Sequence, residues 1–99
     1  MEKRKPSRDL AAFQAAFLRD AAITMTALRS AIALGYGLQD VQEVVARMVP
    51  RHFVKSVTSH ANHRQWQDVY HLPFDDRVLY IKFTDAIVTE FILLSLKEK

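Results

Sequence analysis

Lysine, glutamine, tyrosine and histidine recur through the second half of this 99-residue chain, on sequence that alternates as strands do. Gln67 sits inside Trp66-Gln67-Asp68-Val69-Tyr70, Tyr80 and Lys82 inside Val78-Leu79-Tyr80-Ile81-Lys82, and Lys97 inside the closing Ser95-Leu96-Lys97-Glu98-Lys99. These side chains supply cations, amide donors and a phenolic proton, which suits handling of a phosphate by charge and hydrogen bonds, as a compact ribonuclease does it. All four histidines fall between His52 and His71, and an ordinary pKa of about 6.5 fits them for acid–base work. His60 is the first choice among them for an accessory acid–base or substrate-binding group. The spacing of His60 and His63 also suits a metal pair. Without a cysteine or an evident third ligand, however, neither a metal nor a cofactor is expected. By spacing alone, Lys55 reads as a solvated lysine at a helix end, Gln67 as a sheet-face amide and Tyr80 as a half-buried strand aromatic.

Composition narrows the class of protein. Ninety-nine residues hold one domain with one modest core and leave no room for a separate cofactor domain. Hydrophobic residues make up 49% and charged residues 25%, which excludes a disordered chain. The formal charge of +3 favours a polyanion or an acidic protein as partner. With no cysteine there is no thiol nucleophile and no disulfide framework. No long apolar run marks a leader or a membrane span, so a cytoplasmic protein is expected.

The elements that must position these groups change character near the middle. Helices are expected from about residue 7 to residue 57. Ser7 can cap the first, with Leu10, Phe13, Phe17 and Leu18 as its apolar stripe. Thr24 or Thr26 can start a second through Leu28, Ile32 and Leu34, ended by Gly35 and Gly37. Leu38 to Met48 forms a third, with Val41, Val44, Val45 and Met48 inward and Pro50 stopping it. Strands are expected from about 58 to 97. Trp66 to Leu72 and Arg77 to Phe83 are joined by a turn-like Pro73-Phe74-Asp75-Asp76, and Phe91 to Lys97, apolar on both sides, reads as a central strand. The class is therefore α+β, a single domain over residues 1–99 with N-terminal helices packed on a mainly antiparallel sheet from the C-terminal half. A last hairpin turning about Val88-Thr89 sets Tyr80 opposite Lys97, Ile81 opposite Leu96, Lys82 opposite Ser95 and Phe83 opposite Leu94, which separates polar from apolar faces. Tyr80, Lys82 and Lys97 then share one face.

The start Met1-Glu2-Lys3-Arg4, the segment Phe53-Val54-Lys55-Ser56-Val57-Thr58, the run Trp66 to Tyr70, the strand Val78 to Lys82 and the ending Lys97-Glu98-Lys99 together resemble the MqsR toxins, the motility quorum-sensing regulator family. The resemblance spans nearly the whole chain in order. It implies a RelE-like fold, a type II toxin–antitoxin system with an MqsA-like antitoxin as partner, and mRNA interferase activity on single-stranded RNA, with GCU as the preferred triplet. It also implies that Lys55, Gln67, Tyr80 and Lys97 occupy the activity-determining positions. Two departures stand out: His71 occurs where the family carries arginine, and the final hairpin is about two residues longer.

Metal-free RNA cleavage takes its nucleophile from the substrate's own 2′-hydroxyl, so the protein supplies a base, an acid and cationic stabilisation of the phosphorane. Lys55 and Lys97 suit the charge, Tyr80 the proton, and Gln67 a phosphate or base edge, with His60, His71 and Lys82 as substrate-binding groups. A lysine acting as base needs burial or a cationic neighbour to lower its pKa. Two other classes remain open at this level: a ribosome-dependent nuclease of the wider RelE group, and a non-catalytic basic module whose sheet edge an antitoxin-like partner covers.

Overall fold

Alternating side chains after Pro50 build a sheet with one apolar face, and the three amphipathic helices before it close over that face. The computed structural model describes Met1–Lys99. In chain order it contains β1 (Glu2–Lys3), α1 (Leu10–Arg19), α2 (Met25–Ala33), α3 (Leu38–Arg47), a short 3-10 turn (Pro50–His52), β2 (Phe53–Thr58), β3 (Trp66–Phe74), β4 (Arg77–Ala86) and β5 (Glu90–Glu98). The five strands pair antiparallel in the order β1-β2-β3-β4-β5, so the fold is α+β as expected.

Local chemistry sets each helix end. The Asp9 carboxylate, not Ser7, caps α1 by accepting the Ala12 N–H at 3.0 Å. Thr24 caps α2 through the Ala27 N–H at 3.1 Å, and Gly35 follows that helix with φ +90°, a left-handed conformation in which a side chain is strained. The Asp40 carboxylate accepts the Gly37 N–H at 2.9 Å where α3 begins. The apolar stripe of α3 is as expected, with Val41, Val44, Val45 and Met48 all buried. On α2 the buried residues are Ala27 and Ala31 rather than Leu28 and Ile32, and on α1 Leu18 is exposed. Small side chains let α2 lie close against β5, which rotates its larger residues toward water. Phe13 of α1 stacks on Phe83 of β4 with ring centres 3.8 Å apart, at the centre of a core that includes Phe17, Tyr70, Leu79, Ile81, Leu93 and Leu96.

Three expectations about the strands change. Lys55 does not lie at a helix end: helix stops at Arg47, and β2 already runs at Phe53. The segment Pro73-Phe74 is strand, and the turn shrinks to Asp75-Asp76, whose φ values of 54° and 59° are those of a two-residue hairpin turn. β5 is an edge strand, not a central one. The chain before α2 runs along part of that edge. Ala22 and Thr24 bond the Leu93 backbone, with Leu93 N–H to Ala22 carbonyl at 2.9 Å and Thr24 N–H to Leu93 carbonyl at 3.0 Å, covering part of the edge.

Register in the last hairpin matches the sequence reading for Tyr80 with Lys97, Ile81 with Leu96 and Lys82 with Ser95. It departs at Phe83, which faces Leu93 because Leu94 forms a β-bulge. Between that bulge and the hairpin tip the strands stay paired as far as Ala86 with Glu90, and the loop is Ile87 to Thr89, followed by Glu90 at φ +67°, so the turn closes without glycine.

Candidate active site

Period-two alternation divides Trp66 to His71 between the two faces of the sheet. Asp68 and Tyr70 turn toward the helices, while Gln67, Val69 and His71 turn to the helix-free face. Asp68 is wholly buried and acts as a polar clamp. Its carboxylate accepts the Ser7 N–H at 3.1 and 3.0 Å, the Arg8 N–H at 2.8 Å and the Ser56 hydroxyl at 2.7 Å. The clamp holds the N-terminal segment against β2 and β3. Basic side chains of the N-terminal segment are also engaged: Lys3 Nζ lies 4.3 Å from the Trp66 ring centre, Arg4 bonds the Val54 carbonyl at 3.2 Å, and Arg8 reaches the Trp66 carbonyl and the Asp85 carboxylate.

On the helix-free face the pairing aligns the candidate residues in rows. His71, Tyr80 and Lys97 form one row across β3, β4 and β5, and Lys55, Val69, Lys82 and Ser95 form the next across β2 to β5. Gln67 pairs with Val57 one step further on. A cleft of about 710 Å³ opens over these rows, lined by Glu2, Lys55, His60, Gln67, Tyr80 and Lys82 among others. Five of the seven residues expected to form a site therefore line one concavity. His71 and Lys97 flank it from either side of Tyr80: the His71 ring is 5.8 Å and the Lys97 ammonium 5.2 Å from the Tyr80 ring centre. His63 is not part of it.

Electrostatics differ among these groups. Burial raises the Tyr80 phenol above its ordinary value. Burial, and then the charge of Lys97, lower Lys82 below its own. His71 is lowered by burial and by the charges of Lys99 and Lys55. Lys55 Nζ stands 3.6 Å from Glu2 Oε1, whereas Lys82 has no carboxylate partner. Such an arrangement provides the ammonium groups of Lys55 and Lys97, a phenol whose pKa burial raises, and in Lys82 an amine that holds its proton less tightly than an ordinary lysine. It suits a substrate that develops negative charge while it loses one proton and gains another.

Lys82, expected among the substrate-binding residues, lies in the same cleft, and its burial and its cationic neighbour Lys97 are features that sequence cannot show. Glu2 was missed altogether, since only the short β1 carries it to the cleft. No three histidine, aspartate or glutamate side chains converge as a metal-binding set. No helix is long and apolar enough to cross a membrane.

Residues 5–98 match the model of the family described as motility quorum-sensing regulator, toxin of MqsA. The chain is also similar to the mRNA interferase toxin MqsR of Escherichia coli (strain K12), 32% identical over 76 residues that cover 77% of this chain and 76% of the relative. A match over nearly the whole length, together with a relative at this identity, shows that the chain belongs to the MqsR toxin family.

Proposed function

We propose that this protein is the toxin of a type II toxin–antitoxin system, an endoribonuclease that cuts single-stranded mRNA without a metal. The single observation that carries the mechanism is the convergence of Lys55, Gln67, Tyr80, Lys82 and His60 in one cleft, with Lys97 beside Tyr80. The 2′-hydroxyl of the RNA attacks the adjacent phosphorus, and its proton passes to the neutral amine of Lys82. The bond from phosphorus to the 5′-oxygen breaks, the Tyr80 hydroxyl protonates that leaving oxygen, and the products are a 2′,3′-cyclic phosphate and a 5′-hydroxyl. Lys55 and Lys97 stabilise the charged phosphorane, and Gln67, His60 and His71 hold neighbouring phosphate or base groups. The same reading includes cleavage at GCU-like sites, an MqsA-like antitoxin as partner and a cytoplasmic site of action; membership of a family described as toxin of MqsA supports the partner.

The test uses purified protein and naked single-stranded RNA in EDTA. Cleavage with 2′,3′-cyclic phosphate ends is the expected result. Cleavage only on added ribosomes overturns autonomous action, loss on chelation with recovery on a divalent ion overturns the metal-free mechanism, and no cleavage under any condition leaves a binding module.

A further inference from the structure

A second concavity, about 880 Å³, opens beside the cleft at the end of the sheet. Its floor is apolar, formed by Ile92 and Leu94 of β5 and by Ile23. One wall is the tip of the β4–β5 hairpin, Ile87 and Val88, and the rim carries Arg64 and Gln65 from the loop between β2 and β3. That same loop walls the cleft through Ser59, His60 and Ala61, so the two concavities share one loop.

Ile87 and Val88 are 103% and 92% exposed, which the fold does not require: they make no core contact, and a turn of this kind accepts polar residues. Arg64 forms no ion pair, whereas Arg8 nearby is bound to Asp85 and to the Trp66 carbonyl. An apolar wall and floor under an amide and a free guanidinium match an unpaired nucleotide, which offers a flat apolar face, a polar edge and a phosphate. A flat apolar patch would suit a protein partner better than this concave one, whose lining carries the unpaired Arg64 guanidinium as well as the mutually paired Arg8 and Asp85.

We infer that this second concavity is a substrate subsite that takes a nucleotide flanking the cleaved bond of single-stranded RNA, with Ile87 and Val88 packing against the base and Arg64 contacting its phosphate. The proposal rests on the ribonuclease reading of the cleft and gives that cleft its direction: the RNA runs from the Tyr80–Lys82 rows past the 59–65 loop toward the hairpin tip.

The experiment compares wild type with Arg64→Ala and with Ile87→Ser/Val88→Ser, at positions where side chains face water. Binding is read by fluorescence anisotropy with a random-sequence, fully 2′-O-methylated single-stranded oligonucleotide, which cannot be cut. Cleavage is read on a dinucleotide and on a longer RNA. Affinity for the oligonucleotide should fall about tenfold in each variant. KM on the longer RNA should rise by a similar factor while dinucleotide cleavage is unchanged. Equal affinity and KM for all three proteins overturns the subsite. Loss of antitoxin binding with RNA affinity intact also overturns it, assigning the surface to a protein. If wild type binds the oligonucleotide and the variants bind it more weakly, but nothing is cut, the ribonuclease reading fails and the RNA subsite stands. If the hairpin variant loses its thermal transition, Arg64→Ala alone decides.

Discussion

The ammonium of Lys97 lies 5.2 Å from the centre of the Tyr80 ring, across the pair of strands that sets these two residues opposite each other. A cation over an aromatic face is held by the ring quadrupole, which fixes Lys97 beside the phenol without a carboxylate partner. Burial first, and then the same charge, lower the pKa of Lys82, two residues from Tyr80 on the same face. One lysine thus positions against the proposed acid and tunes the proposed base.

Tyr80→Phe removes a single hydroxyl and keeps the ring on which Lys97 and His71 rest. A phenol is protonated at neutral pH, as a proton donor requires, and burial raises the pKa of this one further. Single-turnover cleavage should slow by roughly 10² to 10⁴ fold with an unchanged melting temperature. A fall of less than about threefold would return Tyr80 to a packing role.

Lys82→Arg retains the charge but has no neutral amine at working pH. The rate should drop by roughly 10² to 10⁴ fold with a small change in KM, and the ascending limb of the pH–rate profile should disappear. In Lys97→Met the protonated form of Lys82 loses a repelling neighbour, so its pKa rises and the ascending limb moves to higher pH. An unmoved limb in Lys97→Met would show that another group is the base.

Expression of the chain alone should arrest bacterial growth, and Lys55→Ala should relieve the arrest while the antitoxin still binds. The side chain of Lys55 is 35% exposed and its ion pair with Glu2 is a surface contact, so the fold tolerates the change. Continued arrest by a folded Lys55→Ala variant, measured with its RNA cleavage, would separate toxicity from this lysine.

Stability should decline as pH falls through the histidine range. His52 and His71 both have folded-state values below the ordinary 6.5, each chiefly through burial. The unfolded chain then binds more protons than the folded one between those lowered values and 6.5, so stability is complete above that window and is lost on descending through it. Urea midpoints at pH values spanning the window should show a slope that His71→Gln reduces. An identical slope in the variant would remove His71 from the account.

Asp68→Ala should cost about 3 kcal/mol, because two backbone N–H groups and the Ser56 hydroxyl lose a charged acceptor in a buried place. Protease cleavage within the first eight residues should accelerate with the loss. Wild-type stability in this variant would mean that the N-terminal segment is held by other contacts.

Much of the site was legible before the fold because it depends on local repeats. Alternation within Trp66 to His71 and Val78 to Lys82 assigns faces residue by residue, and only one hairpin register sets polar beside polar, so Tyr80, Lys82 and Lys97 could be grouped from the sequence. The three valines of α3 were readable for the same reason: a helical stripe is a property of its own segment. The turn lacking glycine at Val88 was visible too, although its answer was a bulge at Leu94 and a left-handed Glu90 rather than a tight turn.

What only tertiary structure decided depends on partners distant in sequence. Strand order put β5 at the edge, and hydrogen bonds from Ala22 and Thr24, about seventy residues away, pair part of that edge. Lys55 became a strand residue because β3 was available to pair with it. The inward turn of Asp68 acquired a purpose only when Ser7, Arg8 and Ser56 arrived around it. The same holds for chemistry: residue type fixes that Lys82 can carry a proton, but the burial and the nearby charge that shift its pKa are made by the assembled sheet. Periodicity is encoded within a segment, whereas burial and electric field are sums over the whole molecule.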